Sequence, residues 1–289
     1  MVISLEKPTQ PCPNCQTQNW IQDEQVLDTW FSSGMWPLAT LGWPQDNDEL
    51  KRYYPFNFEI SGPEIKYLWI ARMLMLGLWF RNTVPFKYMF FHGTLRDLQG
   101  RKMSKSLGNG VNPNDLRVKW GTDATRMALY SYSTPGRDGK LSQQTIDERG
   151  KNYRNFGTKL KNIYRFIYEL KPESTENENP GKWTHKDDKE INKKLEKTIE
   201  IVSKDLDSFN LHLAIEAIYE FIWHQFADVY LEKTKERRNE SQEALEHVFK
   251  ESLKLLHPFM PFITEEIWQK IKTKSDSESI MIAPWPTLE

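Results

Sequence analysis

Two hydrophobic periods divide this chain, and that division limits its fold more than any other feature. Beyond Ser142, the residues Ile146, Tyr153, Phe156, Leu160, Ile163, Ile167 and Leu170 recur at three- and four-residue spacing, one face of a long helix. Ile191, Leu195, Ile199, Val202 and Leu206 make a second such face. A third, capped by Asn210, runs through Ile215, Ile218, Phe221, Ile222, Phe226 and Val229 to about Glu236. A fourth covers Ala244 to His257 and is ended by Pro258 and Pro261; Thr264 then caps a fifth, from Glu265 to about Ile271. Lys171 to Lys182 is polar, contains two prolines and reads as a loop. Helices with short connections and little strand signal predict an antiparallel helical bundle over residues 142–289.

Before Ser142 the pattern alternates. Phe56-Asn57-Phe58-Glu59-Ile60 switches apolar and polar at every step, as a strand does. Ser61-Gly62-Pro63 reads as a helix start with Pro63 at the first helical position. Ile65, Leu68, Trp69, Arg72, Met73 and Leu76 then continue at helical spacing to about Phe80. After a turn at Pro85, Phe86 to His92 is a second apolar run. Strand, helix and strand predict a right-handed parallel crossover, with ligands beyond the carboxyl ends of the strands. Asn112-Pro113 opens a short helix, Thr122-Asp123 another to about Tyr132, and residues 134–139 break the pattern. The fold class is therefore α/β then all-α, with a boundary near Ser142. Asp28-Thr29-Trp30-Phe31-Ser32-Ser33, Trp36-Pro37 and Gly42-Trp43-Pro44 read as an aromatic-rich turn region.

Charge and cysteine usage exclude several classes. With a net charge of −1 over 289 residues, contact with nucleic acid must come from local patches. No apolar run is long enough to cross a bilayer, and no cationic-then-apolar signal opens the chain. The two cysteines, Cys12-Pro13-Asn14-Cys15, argue against a disulfide scaffold and for a reducing, cytoplasmic setting. Their spacing is half of a zinc knuckle, and none of the six histidines is spaced to complete it. Residues 1–24 are then a metal-free turn, or half of a zinc site whose other ligands lie elsewhere.

One stretch carries chemistry. Gly100-Arg101-Lys102-Met103-Ser104-Lys105-Ser106-Leu107-Gly108-Asn109-Gly110 sets two ammonium groups and two hydroxyls between glycines. Such a loop suits a polyphosphate whose charge is redistributed during reaction. It is not a P-loop, since the G-x-x-x-x-G-K-[ST] order is absent, as is G-x-G-x-x-G. Taken alone, a lysine pair of this kind is a solvated basic loop.

Lys102-Met103-Ser104-Lys105-Ser106 resembles the signature loop of the class I aminoacyl-tRNA synthetases. Asp28-Thr29-Trp30-Phe31-Ser32-Ser33 and Gly42-Trp43-Pro44 resemble the valyl branch; isoleucyl relatives have Asp for the first Ser. Ile70-Ala71-Arg72-Met73, Pro85-Phe86-Lys87, His92-Gly93, Gly121-Thr122-Asp123-Ala124, Tyr153-Arg154-Asn155-Phe156, residues 256–262 and Trp285-Pro286 follow in that family's order. The resemblance runs from Cys12 to the end. It implies that residues 25–141 are the C-terminal half of a Rossmann-like catalytic domain, and that residues 142–289 are an anticodon-binding bundle.

What the resemblance implies for the site can be carried over by residue. The reaction would be ATP-dependent activation of valine to valyl-adenylate, with Mg2+, and transfer to tRNA(Val). Lys105 would hold the leaving phosphates, assisted by Lys102 and Ser104, while His92 and Gly93 flank the adenine. Glu64 stands where the family has an Asp that reaches the ribose, and Pro63 replaces a usually aromatic or apolar residue. Trp30, Ile65 and Trp69 would line the valine pocket, with Ile65 and Trp69 sharing a helix face. A pocket of that kind cannot strongly reject threonine, which the family handles in a separate editing domain. Lys233, Lys235, Arg237 and Arg238 are the local cations that RNA would meet. The family's His-x-Gly-His occurs at none of the histidines. The expectation is therefore a C-terminal portion that is active only with a complementary N-terminal half. The alternatives are a non-catalytic tRNA-binding module and an isoleucyl-type fragment.

Overall fold

The computed structural model describes residues 2, 4, 6–26, 28–170 and 185–288, so the loop expected over Lys171 to Lys182 lies outside the described residues. Contacts group the chain into two compact units, Met1–Phe90 and Phe91–Glu289.

In the first unit the aromatic-rich stretch is helical rather than a string of turns. Helix α1 (Thr29–Gly34) is capped by the Asp28 carboxylate, which accepts from the Trp30 N–H. It is followed by α2 (Trp36–Ala39) and α3 (Asp48–Tyr53), the latter capped by Asn47 on the Leu50 N–H. Strand β1 (Phe56–Ser61) appears where alternation placed it. The helix expected to start at Pro63 begins differently: a 3-10 turn (Pro63–Ile65), then a π-helical turn (Lys66–Ile70), then α4 (Ala71–Arg81). Asn82, with φ 51°, ends α4 in the left-handed region. Strand β2 (Phe86–Phe91) is hydrogen-bonded to β1 in a two-stranded sheet. Gly34 lets α1 approach α4 closely, since a Cβ there would sit 2.9 Å from Leu76 Cδ1 and 3.0 Å from Arg72 Cβ.

The second unit opens on β3 (Leu95–Arg96), followed by α5 (Pro113–Trp120), α6 (Thr122–Tyr130) and β4 (Gly139–Lys140). β3 pairs parallel to β4, Leu95 with Gly139 and Arg96 with Lys140. The stretch 134–139, which the sequence marks only as a break, thus runs into a strand that pairs with the one leading into the lysine loop. Helix α7 (Gln143–Tyr164) starts at a Ser142–Thr145 capping box and runs into a π turn (Arg165–Glu169). Then come α8 (Lys186–Asp207), α9 (Leu211–Tyr219), a π segment (Glu220–Tyr230), α10 (Leu231–Thr234), a 3-10 turn (Lys235–Arg237), α11 (Arg238–Leu256) and α12 (Pro261–Ile271). Asn210 precedes α9 as expected, but its side chain makes no capping hydrogen bond.

Their apolar faces meet in one core that includes Phe156, Leu195, Ile218, Phe226, Phe249 and Trp268. Met127 of α6 is fully buried in that core. The period changes at Ser142, but the packing does not divide there, because α6 lies against α7.

The start of α12 corrects the sequence reading. Thr264 does not cap it; the helix begins at Pro261, whose missing N–H is harmless at that position. Thr264 is buried inside the helix, where its hydroxyl donates to the Met260 carbonyl at 2.8 Å. The capping acceptor is the Asp123 carboxylate of α6, which takes the Phe262 and Ile263 N–H groups at 3.2 and 2.7 Å. Arg126, one turn on, donates to the Pro258 and Phe259 carbonyls. Among the described residues, no helix is long and apolar enough to cross a membrane.

Candidate functional site

The lysine loop is a built structure. Asp97 opens a tight turn in which the Gly100 N–H donates to the Asp97 carbonyl, with Gly100 at φ 81°. The chain then returns along β3: Arg96 bridges Lys102, and the Met103 N–H donates to the Leu95 carbonyl at 3.1 Å. Met103 packs on a small core of Leu116, Ala128, Leu141 and Ile146. That inward anchor leaves Lys102 and Lys105 exposed on either side of it. Ser104 is occupied locally, its Oγ accepting from the Leu107 N–H at 3.3 Å and lying 3.2 Å from Ser106 Oγ. Lys105 opens a turn closed by the Gly108 N–H, with Gly108 at φ 61°.

Two residues missed in the sequence hold the loop shut. The Asn109 amide accepts from the Ser104 N–H at 2.9 Å and donates to Asp97 Oδ2 at 2.9 Å. Asp97 also takes the Arg101 N–H at 2.9 Å and Arg101 Nε at 2.8 Å. The Asn109 amide, with Arg101 on the same carboxylate, holds the Asp97 carboxyl down at about 2. No local pattern marks these two, because twelve residues separate them and the contact is tertiary.

His92 and Gly93 sit just before β3. His92 pairs with Pro135 in an antiparallel bridge, and its Nδ1 lies 2.9 Å from the Gly93 carbonyl. A Cβ on Gly93 would fall inside the Arg137 carbonyl, so only glycine fits this approach. Asp138 fastens the same corner by accepting from the Thr94 N–H at 2.8 Å and from Arg96 Nε at 2.5 Å. The Arg96 guanidinium holds the Asp138 carboxyl below its usual range.

In the other unit, Trp30 lies on α1, Ile65 ends the 3-10 turn and Trp69 sits in the π turn; all three are half-buried. The Trp69 indole donates to the Ser33 carbonyl of α1 at 2.9 Å, which ties the two indole-bearing elements together. Ile65 and Trp69 do not share a regular α-helical face, because the backbone between them is 3-10 and then π. Such π turns recur at functional sites. The Glu64 side chain folds back over Gly62, where its Oε2 lies 2.5 Å from the place a Cβ would occupy. Glu64 and the aromatic residues thus belong to residues 1–90, and the remaining nucleotide-side residues to residues 91–289.

Of the four cations expected to meet RNA, the two arginines are engaged within the bundle and the two lysines pair on its surface. Arg237 forks onto Asp188 at 2.6 and 3.1 Å, with 13% of its side chain exposed. Tyr230 Oη donates to the same carboxylate at 2.6 Å, and burial raises the Tyr230 hydroxyl far above its usual range. Arg238 stacks over Phe166 at 4.4 Å and is half-buried. Lys233 pairs with Asp187 at 2.9 Å and Lys235 with Glu232 at 2.6 Å, both on the surface. Cys12 and Cys15 share one tight turn closed by the Cys12 and Gln16 N–H groups. Among the described residues, no group of three or more His, Cys, Asp or Glu could hold a metal ion. Two thiols do not fit a four-ligand zinc site.

Comparison with known proteins adds an independent line. Residues 4–142 match the family of tRNA synthetases class I (I, L, M and V), and residues 188–289 match the anticodon-binding domain of tRNA ligase. The chain is 43% identical over 289 residues to the valine–tRNA ligase of Thermotoga maritima, covering 98% of this chain and 32% of that protein. The chain thus spans about a third of the length of the curated relatives it matches. In fold it resembles LeuRS from Agrobacterium radiobacter K84, solved as a ternary complex with tRNA and LeuAMS (TM-score 0.72, 22% identity, 96% of this chain and 34% of that one). It also resembles Mycobacterium tuberculosis methionyl-tRNA synthetase in complex with methionyl-adenylate (TM-score 0.62, 23% identity, 80% and 47%).

Proposed function

We propose, for a chain that belongs to the class I tRNA synthetases and is homologous to valine–tRNA ligases, that it supplies one portion of a valine–tRNA ligase. The reaction is ATP-dependent formation of valyl-adenylate followed by transfer of valine to tRNA(Val). The observation that carries this reading is the loop at residues 100–110, which presents Lys102 and Lys105 outward from an anchored Met103. Among the described residues, no carboxylate pairs with Lys105.

The chemistry asked of these residues is positioning and charge stabilisation. The valine carboxylate attacks the α-phosphorus of ATP in line, the bond to the bridging oxygen breaks, and pyrophosphate leaves. Lys105 binds the β- and γ-phosphates as negative charge collects there; Lys102 and Ser104 assist. The adenine lies against His92 and Gly93, in the corner that Gly93 makes by closing on the Arg137 carbonyl. Glu64 accepts from a ribose hydroxyl. Trp30, Ile65 and Trp69 enclose the isopropyl group in apolar surroundings. Mg2+ accompanies ATP in this reading.

In its finer features the fold is read as the C-terminal half of a Rossmann-like domain followed by an antiparallel anticodon-binding bundle. tRNA meets the bundle at exposed cations; of the four expected, Lys233 and Lys235 keep surface-exposed heads while Arg237 is committed to Asp188. The remainder of the synthetase is the missing partner. Support comes from the chain's one-third share of its relatives. The apolar face of α4 supports it too, with Met75 61%, Leu78 49% and Trp79 81% exposed at i, i+3 and i+4.

The test is valine-dependent ATP–pyrophosphate exchange by this chain alone and mixed with the part of a valine–tRNA ligase relative that it does not cover. Exchange only in the mixture is expected. No exchange in either, with tRNA(Val) still bound, would make the chain a non-catalytic RNA-binding module; isoleucine outpacing valine would assign it to the isoleucyl type.

A further inference from the structure

We propose that Asp97 and Asn109 are positioning residues that hold the backbone carrying Lys102 and Lys105 for contact with the phosphates of ATP. The proposal rests on the reading that Lys102 and Lys105 meet ATP, and it adds residues outside the signature itself.

The geometry converges on one carboxylate and one amide. Asp97 is only 7% exposed, although it stands at the base of an open loop. Its two oxygens take three donors: the Arg101 N–H, Arg101 Nε and Asn109 Nδ2. The Asn109 amide spends both ends on the lysine segment. Its oxygen takes the Ser104 N–H at 2.9 Å, and its nitrogen reaches the Lys102 carbonyl at 3.4 Å as well as Asp97. One side chain therefore grips the backbone on both sides of Met103, one residue before Lys105. Below it, Met103 is held by the apolar cluster of Leu116, Ala128, Leu141 and Ile146. The backbone between Ser104 and Asn109 is thus closed into a ring by a side chain rather than by a strand ladder.

A closed ring loses less freedom when ATP binds, so more of the lysine–phosphate attraction reaches the transition state. The interactions that hold it are charge-assisted through Asp97 and so are stronger than neutral ones. The Asp97 carboxylate does not touch the phosphates; it acts through Asn109 and Arg101.

The test uses the chain reassembled with the part of a valine–tRNA ligase relative that it does not cover, assayed by ATP–pyrophosphate exchange. Asn109→Ala should lower kcat on the order of 10- to 100-fold, the scale expected when a group that meets the reacting charge is misplaced by about an ångström. The KM for valine should stay within about twofold, because no pocket contact is lost. Asn109→Asp places a carboxylate against Asp97 and should be as damaging. Asp97→Asn combined with Asn109→Asp restores a donor facing an acceptor, and should recover at least about tenfold over Asn109→Asp alone if the two side chains couple directly. On the chain by itself, trypsin cleavage after Arg101, Lys102 and Lys105 should speed up in Asn109→Ala. Cleavage elsewhere should keep its rate.

The proposal is overturned if Lys105→Ala abolishes exchange while Asn109→Ala stays within twofold of wild type, or if the double exchange gives no recovery. If Lys105→Ala and Asn109→Ala both leave exchange intact, the phosphate reading itself falls, and this proposal with it.

Discussion

Replacing Asp188 with alanine tests whether the bundle keeps Arg237 for itself. Asp188 is 2% exposed and takes three hydrogen bonds, two from Arg237 and one from Tyr230 Oη. Alanine leaves a guanidinium with 13% exposure and a buried phenol without their acceptor. Breaking a buried pair in this way costs about 3–5 kcal/mol, because the remaining guanidinium is desolvated and keeps only the more distant Asp187 carboxylate, 4.0 Å away. Arg237 cannot escape the cost by losing its proton, since a guanidinium stays charged in proteins. In a unit of 150–250 residues each kcal/mol moves Tm by about 2–4 °C, so the fall should be about 6–20 °C. Circular dichroism melting of the chain and of Asp188→Ala, at one pH and salt, measures it. Asp188→Leu combined with Arg237→Met removes both charges and should recover most of the loss. A Tm change under about 2 °C for Asp188→Ala would refute the reasoning, and would free Arg237 for the RNA role that the sequence suggested.

Other consequences follow from single contacts. Gly93→Ala drives a methyl group into the Arg137 carbonyl, so the corner that seats His92 must open. About 1–3 kcal/mol of stability should be lost, with faster hydrogen exchange at the Gly136 and Gly139 amides that pair with Phe91 and Thr94. His257 is held below its ordinary pKa by burial, with its Nδ1 2.7 Å from Thr264 Oγ1. A depressed histidine favours the folded state above about pH 6.5 and loses that advantage as pH falls below it, because the unfolded chain then takes up the proton more readily. Tm should therefore drop between pH 7.5 and 5.5, and His257→Asn should shrink that drop.

How much could be read from the sequence depended on how local the cause was. Strands β1 and β2, the end of α4 and the helical faces of α7 and α8 follow from apolar spacing and lie where spacing put them, while α11 and α12 begin earlier than it placed them. The lysine loop was visible because glycines and lysines are local marks. The short helices α1 and α3 were not visible, since their caps Asp28 and Asn47 sit within a stretch whose aromatics resemble a turn. The 3-10 and π turns at Pro63–Ile65 and Lys66–Ile70 also escaped, because periodicity assumes an α-helix once a helix has begun. Long-range partners were the largest gap. Arg237 looked like a surface cation, but its partner lies 49 residues earlier. Asp97 carries no mark in the sequence, and Asn109 stands there only as one letter of the lysine stretch. The cap of α12 comes from Asp123, 140 residues before the Ile263 amide it accepts from. None of these leaves a trace in neighbouring letters.

The most direct measurement is ATP–pyrophosphate exchange with Lys105→Ala in the reassembled protein, beside tRNA(Val) binding by the same variant. The lysine–phosphate account predicts a rate lower by about 10²–10³, with RNA binding unchanged. A wild-type rate of valyl-adenylate formation from Lys105→Ala would contradict it.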